Sequence, residues 1–260
     1  MRLSMTGNKY QPQTNLHFKL PCFSLQESMA TLSVSLVTPT YNEKENIPLL
    51  VEEVFSALES ESDIDLELIV VDDNSPDGTG DVAESLTDKY PVRVIHRAGK
   101  LGLGSAVMEG WQSSDRDLIG VMDADLSHDP VILAQLIRSL KSVDIAIGSR
   151  YDPESRVEKW PWYRKVISQS GVFLAKQLTG VQDPLAGFFF LHRRVIEGVE
   201  LTSPGYKILL EILVKGQWNS YSETPFIFRN REFSSSKLNV KEYYLFLKQL
   251  YVFSILNLRG

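Results

Sequence analysis

Short apolar runs alternate with stretches of helical apolar spacing through the first half of the chain. Such runs are typical of strands buried on both faces, and the helical spacing indicates amphipathic helices packed against them. The predicted strands are Ser33–Thr38, Leu66–Val71, Val92–Arg97, Leu118–Met122 and Asp144–Ser149. The predicted helices are Ile47–Leu58 with Asn46 as its cap, Thr79–Tyr90, a segment ending near Gln112, and Asp129–Lys141. The alternation predicts an α/β fold with a mostly parallel, doubly wound sheet covered by helices on both faces.

The second half departs from this regular alternation. A helix is predicted to end near Leu178, and the segment Asp183–Phe190 leads into a strand. A further helix is expected at Tyr206–Gly216 and a further strand at Glu223–Phe228. We expect one domain over residues 33–241, preceded by a flexible extension over residues 1–32. Translation could begin at Met1 or at Met29, where the first clear structural unit opens.

The C-terminal residues 242–260 are predicted to form an amphipathic or apolar helix. Residues 242–258 are apolar nearly all round, and as a helix they would span about 26 Å, less than the roughly 30 Å of a bilayer core. The helix should therefore lie on a surface and not cross a membrane. Core packing and docking to a membrane or a small partner protein both remain open, and replacing Phe246, Leu250 and Phe253 with Ser is the test of the membrane alternative.

Composition narrows the class of protein. The chain has 260 residues, 43% of them hydrophobic and 23% charged, which is ordinary for a soluble globular domain. A net charge of −6 argues against a nucleic-acid partner. The single cysteine, Cys22, excludes an internal disulfide and indicates exposure to the cytosol. Residues 229–260 carry six basic and two acidic side chains, opposite to the balance of the whole chain.

Two aspartates, Asp123 and Asp125, directly follow the predicted strand Leu118–Met122. In an open α/β sheet, ligands bind at the carboxyl ends of the strands. Two carboxylates this close repel each other unless a cation lies between them. Mg²⁺ or Mn²⁺ prefers oxygen ligands and is commonly held by one or two carboxylates together with substrate phosphates. The pair therefore predicts a divalent metal at this edge.

Two other kinds of carboxylate site fit the sequence less well. A calcium loop is excluded, because the positions that require Gly and Glu are His128 and Ala134. A phosphatase of the haloacid-dehalogenase type places its nucleophilic Asp on the opening strand, whereas three strand-helix units precede Asp123.

The glycine-rich segment Gly99–Gly104 fits neither a Rossmann fingerprint nor a P-loop, so a structural role is favoured over phosphate contact. Residues 150–164 mix basic and aromatic side chains, which suits either a solvated loop or an anionic membrane interface.

Several ordered motifs resemble those of the family 2 inverting glycosyltransferases, and more narrowly the branch that mannosylates polyprenyl phosphates. They are Pro39–Glu43, Val71–Gly78, Lys100–Gly104, Asp123–His128 and Gly148–Tyr151. The resemblance runs from about Ser33 to Leu250. It implies a GT-A fold and inverting transfer of mannose from GDP-mannose to dolichyl or another polyprenyl phosphate, with Mg²⁺ or Mn²⁺ as cofactor.

The resemblance also implies residue roles, carried over position by position. The nucleoside would be held by Pro39, Tyr41, Glu43, Val71 and Asp73, and the diphosphate and metal would lie at Asp123, Ala124, Asp125 and Ser127. The implied metal ligands are Asp123, Asp125 and Ser127, with Asp125 the principal one. Arg150 would face the sugar, Arg164 and Ser168 the acceptor phosphate, and Arg231 and Lys237 the leaving diphosphate. Two positions depart from the pattern, since Ser234 replaces a glycine and Ser127 stands where many relatives have Gln.

The implied chemistry agrees with the side chains present. A phosphate monoester acceptor is already anionic near neutral pH, so the enzyme needs no strong general base. It must instead place two anions side by side, which suits the forked donors of Arg150 and Arg164. We therefore expect Asp125, Arg150 and Arg164 to be the catalytic residues.

Two rival functions remain open. The first is a polyprenyl-phosphate glycosyltransferase that uses UDP-glucose or another nucleotide sugar, because the motifs define the diphosphate site better than the base or the sugar. The second is a non-catalytic subunit that keeps the fold. We expect peripheral attachment to the cytosolic face of a membrane, either the endoplasmic reticulum of a eukaryote or the plasma membrane of a prokaryote. A small membrane-anchoring subunit is an additional expected partner.

Overall fold

The computed structural model describes residues 31–150, 172–202, 207–229, 246, 249, 250 and 253, and the backbone of 156 and 157. The first half contains β1 (Leu32–Thr40), α1 (Asn46–Leu58), β2 (Ile64–Asp72), α2 (Thr79–Glu84), β3 (Val92–His96), α3 (Leu103–Gln112), β4 (Leu118–Val121), α4 (Leu133–Ser139) and β5 (Ile145–Ser149). The second half contains β6 (Arg156–Val157), α5 (172–179), β7 (Phe189–His192), α6 (Ile208–Lys215), β8 (Tyr221–Pro225) and β9 (Ile227–Phe228). Short 3₁₀ turns lie at Pro130–Ile132 and Arg193–Ile196.

Seven strands form one sheet in the order β3-β2-β1-β4-β7-β5-β8. Strands β3, β2, β1 and β4 run parallel, as the first-half pattern predicts. Strand β7 then enters antiparallel between β4 and β5, so β5 is not a direct neighbour of β4. Strand β8 pairs with β5 in parallel, and β6 pairs with β9 in a separate two-stranded sheet. Because β7 is reversed, its first residues lie at the edge where β1, β2, β4 and β5 end.

Helices cover both faces of the sheet, which confirms the predicted doubly wound architecture. One buried cluster joins Leu36 and Phe190 to apolar residues of α1 and α4, and the other joins Val37 and Phe189 to α3 and α6. Successive strand residues point to opposite faces, so both faces of an apolar run are buried here. Gly120 of β4 is needed in this packing, because a Cβ there would lie 2.3 Å from the Phe190 ring.

Several predicted bounds are wrong. Asn46 is the first residue of α1 and not its cap, and its side-chain amide donates to a Glu43 carboxylate oxygen at 2.6 Å. The predicted helix from Thr79 ends at Glu84 and continues as turns. The helix expected from Asp129 divides into a 3₁₀ turn that begins at Pro130 and the helix α4, and the Asp129 carboxylate caps the turn by accepting from the Val131 amide at 3.2 Å.

The last predicted strand is also divided. Phe226 interrupts it, so that β8 pairs with β5 whereas β9 pairs with β6. The side chain of Phe226 is buried in the cluster that contains Phe188 and Phe190. This aromatic residue therefore fills the core at the point where the chain leaves the main sheet.

Three described residues of the C-terminal segment belong to the core. Phe246, Leu250 and Phe253 are helical and only 8%, 8% and 4% exposed. They share a third buried cluster with Val172 and Ala175 of α5 and with Leu185 and Leu210. Core packing is therefore the correct alternative for these three positions, and replacing them with Ser would perturb the core. Within the described part of the chain, no helix is long and apolar enough to cross a membrane.

Candidate active site

The carboxyl ends of β2, β1 and β4 lie side by side and bring together residues from three separate motifs. Strand β1 pairs with β2 from Leu32 opposite Ile64 to Thr40 opposite Asp72, and β4 flanks β1 on the other side. Asp72 fastens this edge, because its carboxylate accepts from the Thr40 hydroxyl at 3.0 Å and from the Ser75 amide at 2.9 Å. Asp73 directly follows β2, and Asp123 follows β4 after Met122, so both reach the same edge of the sheet.

Asp73, predicted to contact the nucleoside, has both carboxylate oxygens engaged by the protein. One oxygen accepts from the buried guanidinium of Arg97 at 2.5 Å. The other accepts from the amides of Leu101 and Gly102, both at 3.1 Å. Gly102 has a φ of +102°, a conformation that side chains disfavour. The glycine-rich segment is therefore anchored by Asp73, which supports its structural role.

The other predicted nucleoside residues lie around the end of β1. Tyr41 is half-buried, and the Lys100 ammonium nitrogen lies 3.8 Å from the centre of its ring. The Glu43 amide donates to the Thr79 hydroxyl at 2.9 Å, which joins the loop after β1 to the start of α2. Pro39 pairs with Val71 in the sheet, and the Val71 side chain is fully buried in the core. Only the main chain of Val71 can face a ligand.

The Asp123–Asp125 turn is tightly held. Asp125 is 4% exposed, and one of its oxygens accepts from the Ser127 amide at 3.1 Å and from the Ser127 hydroxyl at 2.6 Å. Leu126 between them has a φ of +59°, which is uncommon for a residue with a side chain. Ser127 therefore orients Asp125 by donating to it, and its direct contact with a metal stays a prediction. Ala124 is buried, at 4% exposure.

The predicted metal fits this turn. Among the described residues, no group of three or more His, Cys, Asp or Glu side chains is placed to hold a metal. Mg²⁺ and Mn²⁺ do not require such a group, because waters and substrate phosphates complete their coordination around one or two carboxylates. The chain also leaves space at this point: a Cβ on Gly187 would come within 3.0 Å of an Asp123 carboxylate oxygen. A side chain at position 187 would therefore crowd the Asp123 carboxylate.

Arg150, predicted to face the sugar, forms a forked ion pair with Asp183. Its Nε and Nη2 each donate to an Asp183 oxygen at 2.9 Å, and its amide donates to Asp183 at 3.1 Å. Asp183 is fully buried and Arg150 is 13% exposed. The amide of Asp183 donates in turn to Glu223 of β8 at 2.9 Å. Burial raises the pKa of Glu223, and the negative charge of Asp183 raises it further. Arg150 is thus held rigidly at the end of β5.

Sequence reasoning missed Asp183, His128 and Gly187 as site residues. His128 ends the Asp123–His128 motif, and Asp183 and Gly187 lie in the segment before β7. A pairing across 33 residues, as between Arg150 and Asp183, leaves no periodic signal. The sequence signal that could have indicated these two positions is the presence of Asp183, Pro184 and Gly187 just before the aromatic run Phe188–Phe190. The predicted site residues Arg164, Ser168, Arg231 and Lys237 lie outside the described residues.

Comparison with known proteins shows the family. The model of glycosyl transferase family 2 matches residues 35–199. The chain belongs to this family. The matched region contains most of β1 and all of β2 to β7, and with them the Asp123–Asp125 turn and the Arg150–Asp183 pair. The resemblance seen in the motifs is confirmed.

Three proteins of named activity are similar to most of this chain. A dolichol-phosphate mannosyltransferase of Pyrococcus furiosus is 43% identical over 225 residues, which cover 85% of this chain and 63% of the relative. A dolichol-phosphate mannosyltransferase of Saccharomyces cerevisiae is 37% identical, covering 86% and 88%. A polyprenol monophosphomannose synthase of Mycolicibacterium smegmatis is 38% identical, covering 80% and 82%. The chain thus spans less than two thirds of the Pyrococcus protein and most of the other two.

A solved structure shares the fold. Glucosyl-3-phosphoglycerate synthase of Mycobacterium tuberculosis, crystallised with Mn²⁺, UDP and glucosyl-3-phosphoglycerate, superposes with a TM-score of 0.60 at 20% identity. The match covers 86% of this chain and 79% of the synthase. The GT-A fold expected for a family 2 glycosyltransferase is therefore confirmed, and this structural neighbour holds a divalent metal together with a nucleotide.

Proposed function

We propose that this glycosyltransferase moves mannose from GDP-mannose to dolichyl or another polyprenyl phosphate, with inversion at the anomeric carbon. The observation that carries the proposal is that two dolichol-phosphate mannosyltransferases and a polyprenol monophosphomannose synthase match 80% to 86% of the chain at 37% to 43% identity. The family match over residues 35–199 includes the carboxyl edge of the sheet, where the described site residues converge. Both the donor, GDP-mannose, and the acceptor, a polyprenyl phosphate, are part of this proposal.

The Asp123–Asp125 turn would hold Mg²⁺ or Mn²⁺ against the diphosphate of the donor. A bound divalent metal supplies positive charge that stabilises the departing GDP. Asp125 is the principal ligand in this proposal, because Ser127 orients its carboxylate through two hydrogen bonds. Asp123 is the second ligand, beside the space that Gly187 leaves.

The nucleoside would lie at the end of β1. The ring of Tyr41 would stack on the base, and the Lys100 ammonium, which lies over one face of that ring, suits the O6 and N7 acceptors of guanine. Pro39, Glu43 and the main chain of Val71 surround this position. Asp73 contributes by anchoring the segment that carries Lys100, through the amides of Leu101 and Gly102.

The reaction is a direct displacement. An oxygen of the acceptor phosphate attacks the anomeric carbon as the bond from that carbon to the GDP oxygen breaks, which converts an α-linked donor into a β-linked product. The acceptor is already an anion, so no side chain needs to remove a proton from it. Arg150 lies at the same sheet edge, where Asp183 accepts from its Nε and Nη2 and balances its charge. Arg164 and Ser168 are proposed for the acceptor phosphate, and Arg231 and Lys237 for the leaving diphosphate.

The acceptor is a lipid, so the proposed site of action is a membrane surface facing the cytosol. Polyprenyl chains partition into the bilayer and leave the phosphate at the interface. We propose peripheral attachment, with or without a small anchoring subunit, and residues 1–32 as an extension outside the catalytic domain. The basic and aromatic residues of the 150–164 segment are the proposed point of contact, because Phe246, Leu250 and Phe253 are buried in the core.

Transfer of labelled mannose from GDP-mannose to a short polyprenyl phosphate tests the proposal. We expect lipid-extractable product that requires Mg²⁺ or Mn²⁺, and no product from UDP-glucose. Asp125→Asn is the matched control, since it keeps the size of the side chain and removes its charge. Product from UDP-glucose alone would identify the donor as a uridine sugar. Tight GDP binding without any turnover would favour the non-catalytic alternative.

A further inference from the structure

His128 lies in a closed aromatic box beside the metal-binding turn. Its ring is 2% exposed and stacks on Phe188 with ring centres 5.2 Å apart. Phe226 and Phe228 contact it edge-on at 5.6 Å and 5.8 Å. The three phenylalanines come from the segment before β7, the residue between β8 and β9, and β9 itself. The box therefore forms only when the second half of the chain closes on the end of β4.

One nitrogen of this ring contacts the turn directly. The Asp123 amide donates to His128 Nδ1 at 3.3 Å. An accepting Nδ1 carries the lone pair, so this tautomer has its ring proton on Nε2. Gly187 bounds the same contact from the other side, because a Cβ there would lie 3.0 Å from Asp123 Oδ2 and 3.4 Å from His128 Cε1. The imidazole thus contacts the backbone of Asp123, and Gly187 packs against the Asp123 carboxylate.

The aromatic box around His128 also contacts Arg150, which lies at the end of β5. The guanidinium carbon of Arg150 lies 5.6 Å from the centre of the Phe228 ring, within the range of a cation–π contact. Phe228 therefore touches both His128, which holds the turn after β4, and Arg150, which ends β5. The two strands are not direct neighbours in the sheet, since β7 lies between them.

We propose that His128 is a positioning residue for the metal. By accepting from the Asp123 amide it fixes the start of the turn, and with it the direction of the Asp123 and Asp125 carboxylates. The inference rests on the proposed function, because it requires that these carboxylates hold Mg²⁺ or Mn²⁺ with GDP. Groups that orient metal ligands commonly change metal affinity by about 10- to 100-fold when they are replaced.

Three variants separate the acceptor from the packing. His128→Phe keeps an aromatic ring in the box and removes the acceptor, His128→Leu removes both, and His128→Asn keeps an acceptor at the δ position. His192 offers the matched control: its Nε2 lies 2.8 Å from the Leu140 carbonyl oxygen, and it pairs with Leu118 at the other end of β4. Mn²⁺ is titrated calorimetrically into protein saturated with GDP, GDP alone is titrated in EDTA, and melting temperatures are measured without metal.

We expect His128→Phe and His128→Leu to raise the Mn²⁺ dissociation constant at least about tenfold and to leave metal-free GDP binding within about twofold of the original chain. His128→Asn should recover most of the Mn²⁺ affinity. His192→Leu should lower the melting temperature and leave Mn²⁺ binding unchanged.

Unchanged Mn²⁺ affinity in a folded acceptor-free variant would overturn the inference, as would equal weakening in His192→Leu. Failure of both acceptor-free variants to fold would also overturn it, since the acceptor would then be needed by the fold as a whole. If the original chain binds no Mn²⁺ with GDP, the proposed function itself fails, a result that differs from all of these.

Discussion

Asp183→Asn should weaken the folded state and the transfer reaction together. The wild-type carboxylate accepts from Arg150 Nε and Nη2 at 2.9 Å each and from the Arg150 amide at 3.1 Å. Asparagine offers one oxygen and one NH₂ group in the same space. Its NH₂ group would face a donor of Arg150, and the buried guanidinium would lose its counter-charge.

The magnitude follows from the burial of the pair. Asp183 is fully buried and Arg150 is 13% exposed, so solvent screens the pair only weakly. Removing one partner of a buried ion pair costs about 3–5 kcal/mol. Because asparagine keeps one acceptor, we expect a loss of about 3 kcal/mol from the free energy of unfolding. Domains of this size have about 5–15 kcal/mol in total, so the variant should remain folded near 25 °C.

Urea unfolding followed by circular dichroism measures this loss. The matched control is Glu53→Gln, which also turns an acid into an amide but belongs to an exposed pair with Arg229 at 3.4 Å. An exposed pair contributes about 0–1 kcal/mol, so the control should change little. The double variant Arg150→Met with Asp183→Leu should be more stable than Asp183→Asn alone, because it leaves no buried charge unpaired.

In the transfer assay, the same substitution should lower kcat about 100-fold, since a displacement of about 1 Å in a catalytic group can have that effect. An Asp183→Asn protein within about 0.5 kcal/mol of the original would refute the claim that this pair is tightly coupled. A double variant that is less stable than Asp183→Asn would refute it too. Normal kcat in a destabilised variant would separate the structural role of the pair from catalysis.

The remaining predictions concern the metal, the base and acid stability. Asp125→Asn should abolish metal-dependent transfer while leaving the metal-free melting temperature nearly unchanged, because asparagine still accepts from Ser127; retained turnover would remove the catalytic assignment. Lys100→Met should raise the GDP dissociation constant about threefold, whereas Lys100→Arg keeps a cation beside the Tyr41 ring; equal GDP affinity in all three proteins would contradict this. Hydrogen bonding, first of all from the Asn219 amide, lowers the pKa of Asp144 from 3.8 to about 2. Its carboxylate therefore stabilises the fold above the higher value, and this contribution is lost as the pH falls toward about 2. The difference in unfolding free energy between the original chain and Asp144→Asn should be constant from pH 7 to pH 5 and shrink below pH 4; a difference that persists at pH 2 would be inconsistent with this.

The pattern of apolar residues predicted the strands well and the helix bounds less well. Buried strands are short apolar runs, and β1 to β5 were placed to within about two residues because such runs end abruptly at polar clusters. Helix bounds depend on the competition between local turns and packing, which misled the prediction for Thr79–Tyr90. The acidic turn at Asp123–Asp125 was predictable because the position of a carboxylate after a buried strand is itself a local feature.

The contacts within the site were less predictable. The ion pair between Asp73 and Arg97 joins residues 24 positions apart. The ion pair between Arg150 and Asp183 joins residues 33 positions apart. The box around His128 requires three phenylalanines from two later segments. None of these pairings recurs with the period of a helix or a strand, so no pattern along the chain records them.

The sequence by itself determined the class of fold, the sheet edge that carries the chemistry and the family. These features are encoded locally, in apolar runs and in the polar residues that end them. Only the tertiary structure decided that β7 enters antiparallel between β4 and β5, that Phe246, Leu250 and Phe253 belong to the core, and which partner each buried charge has. The physical reason is that strand order and core membership depend on contacts between distant segments, which lower the free energy of the chain as a whole. The partner of each buried charge is then the residue that the strand order brings beside it.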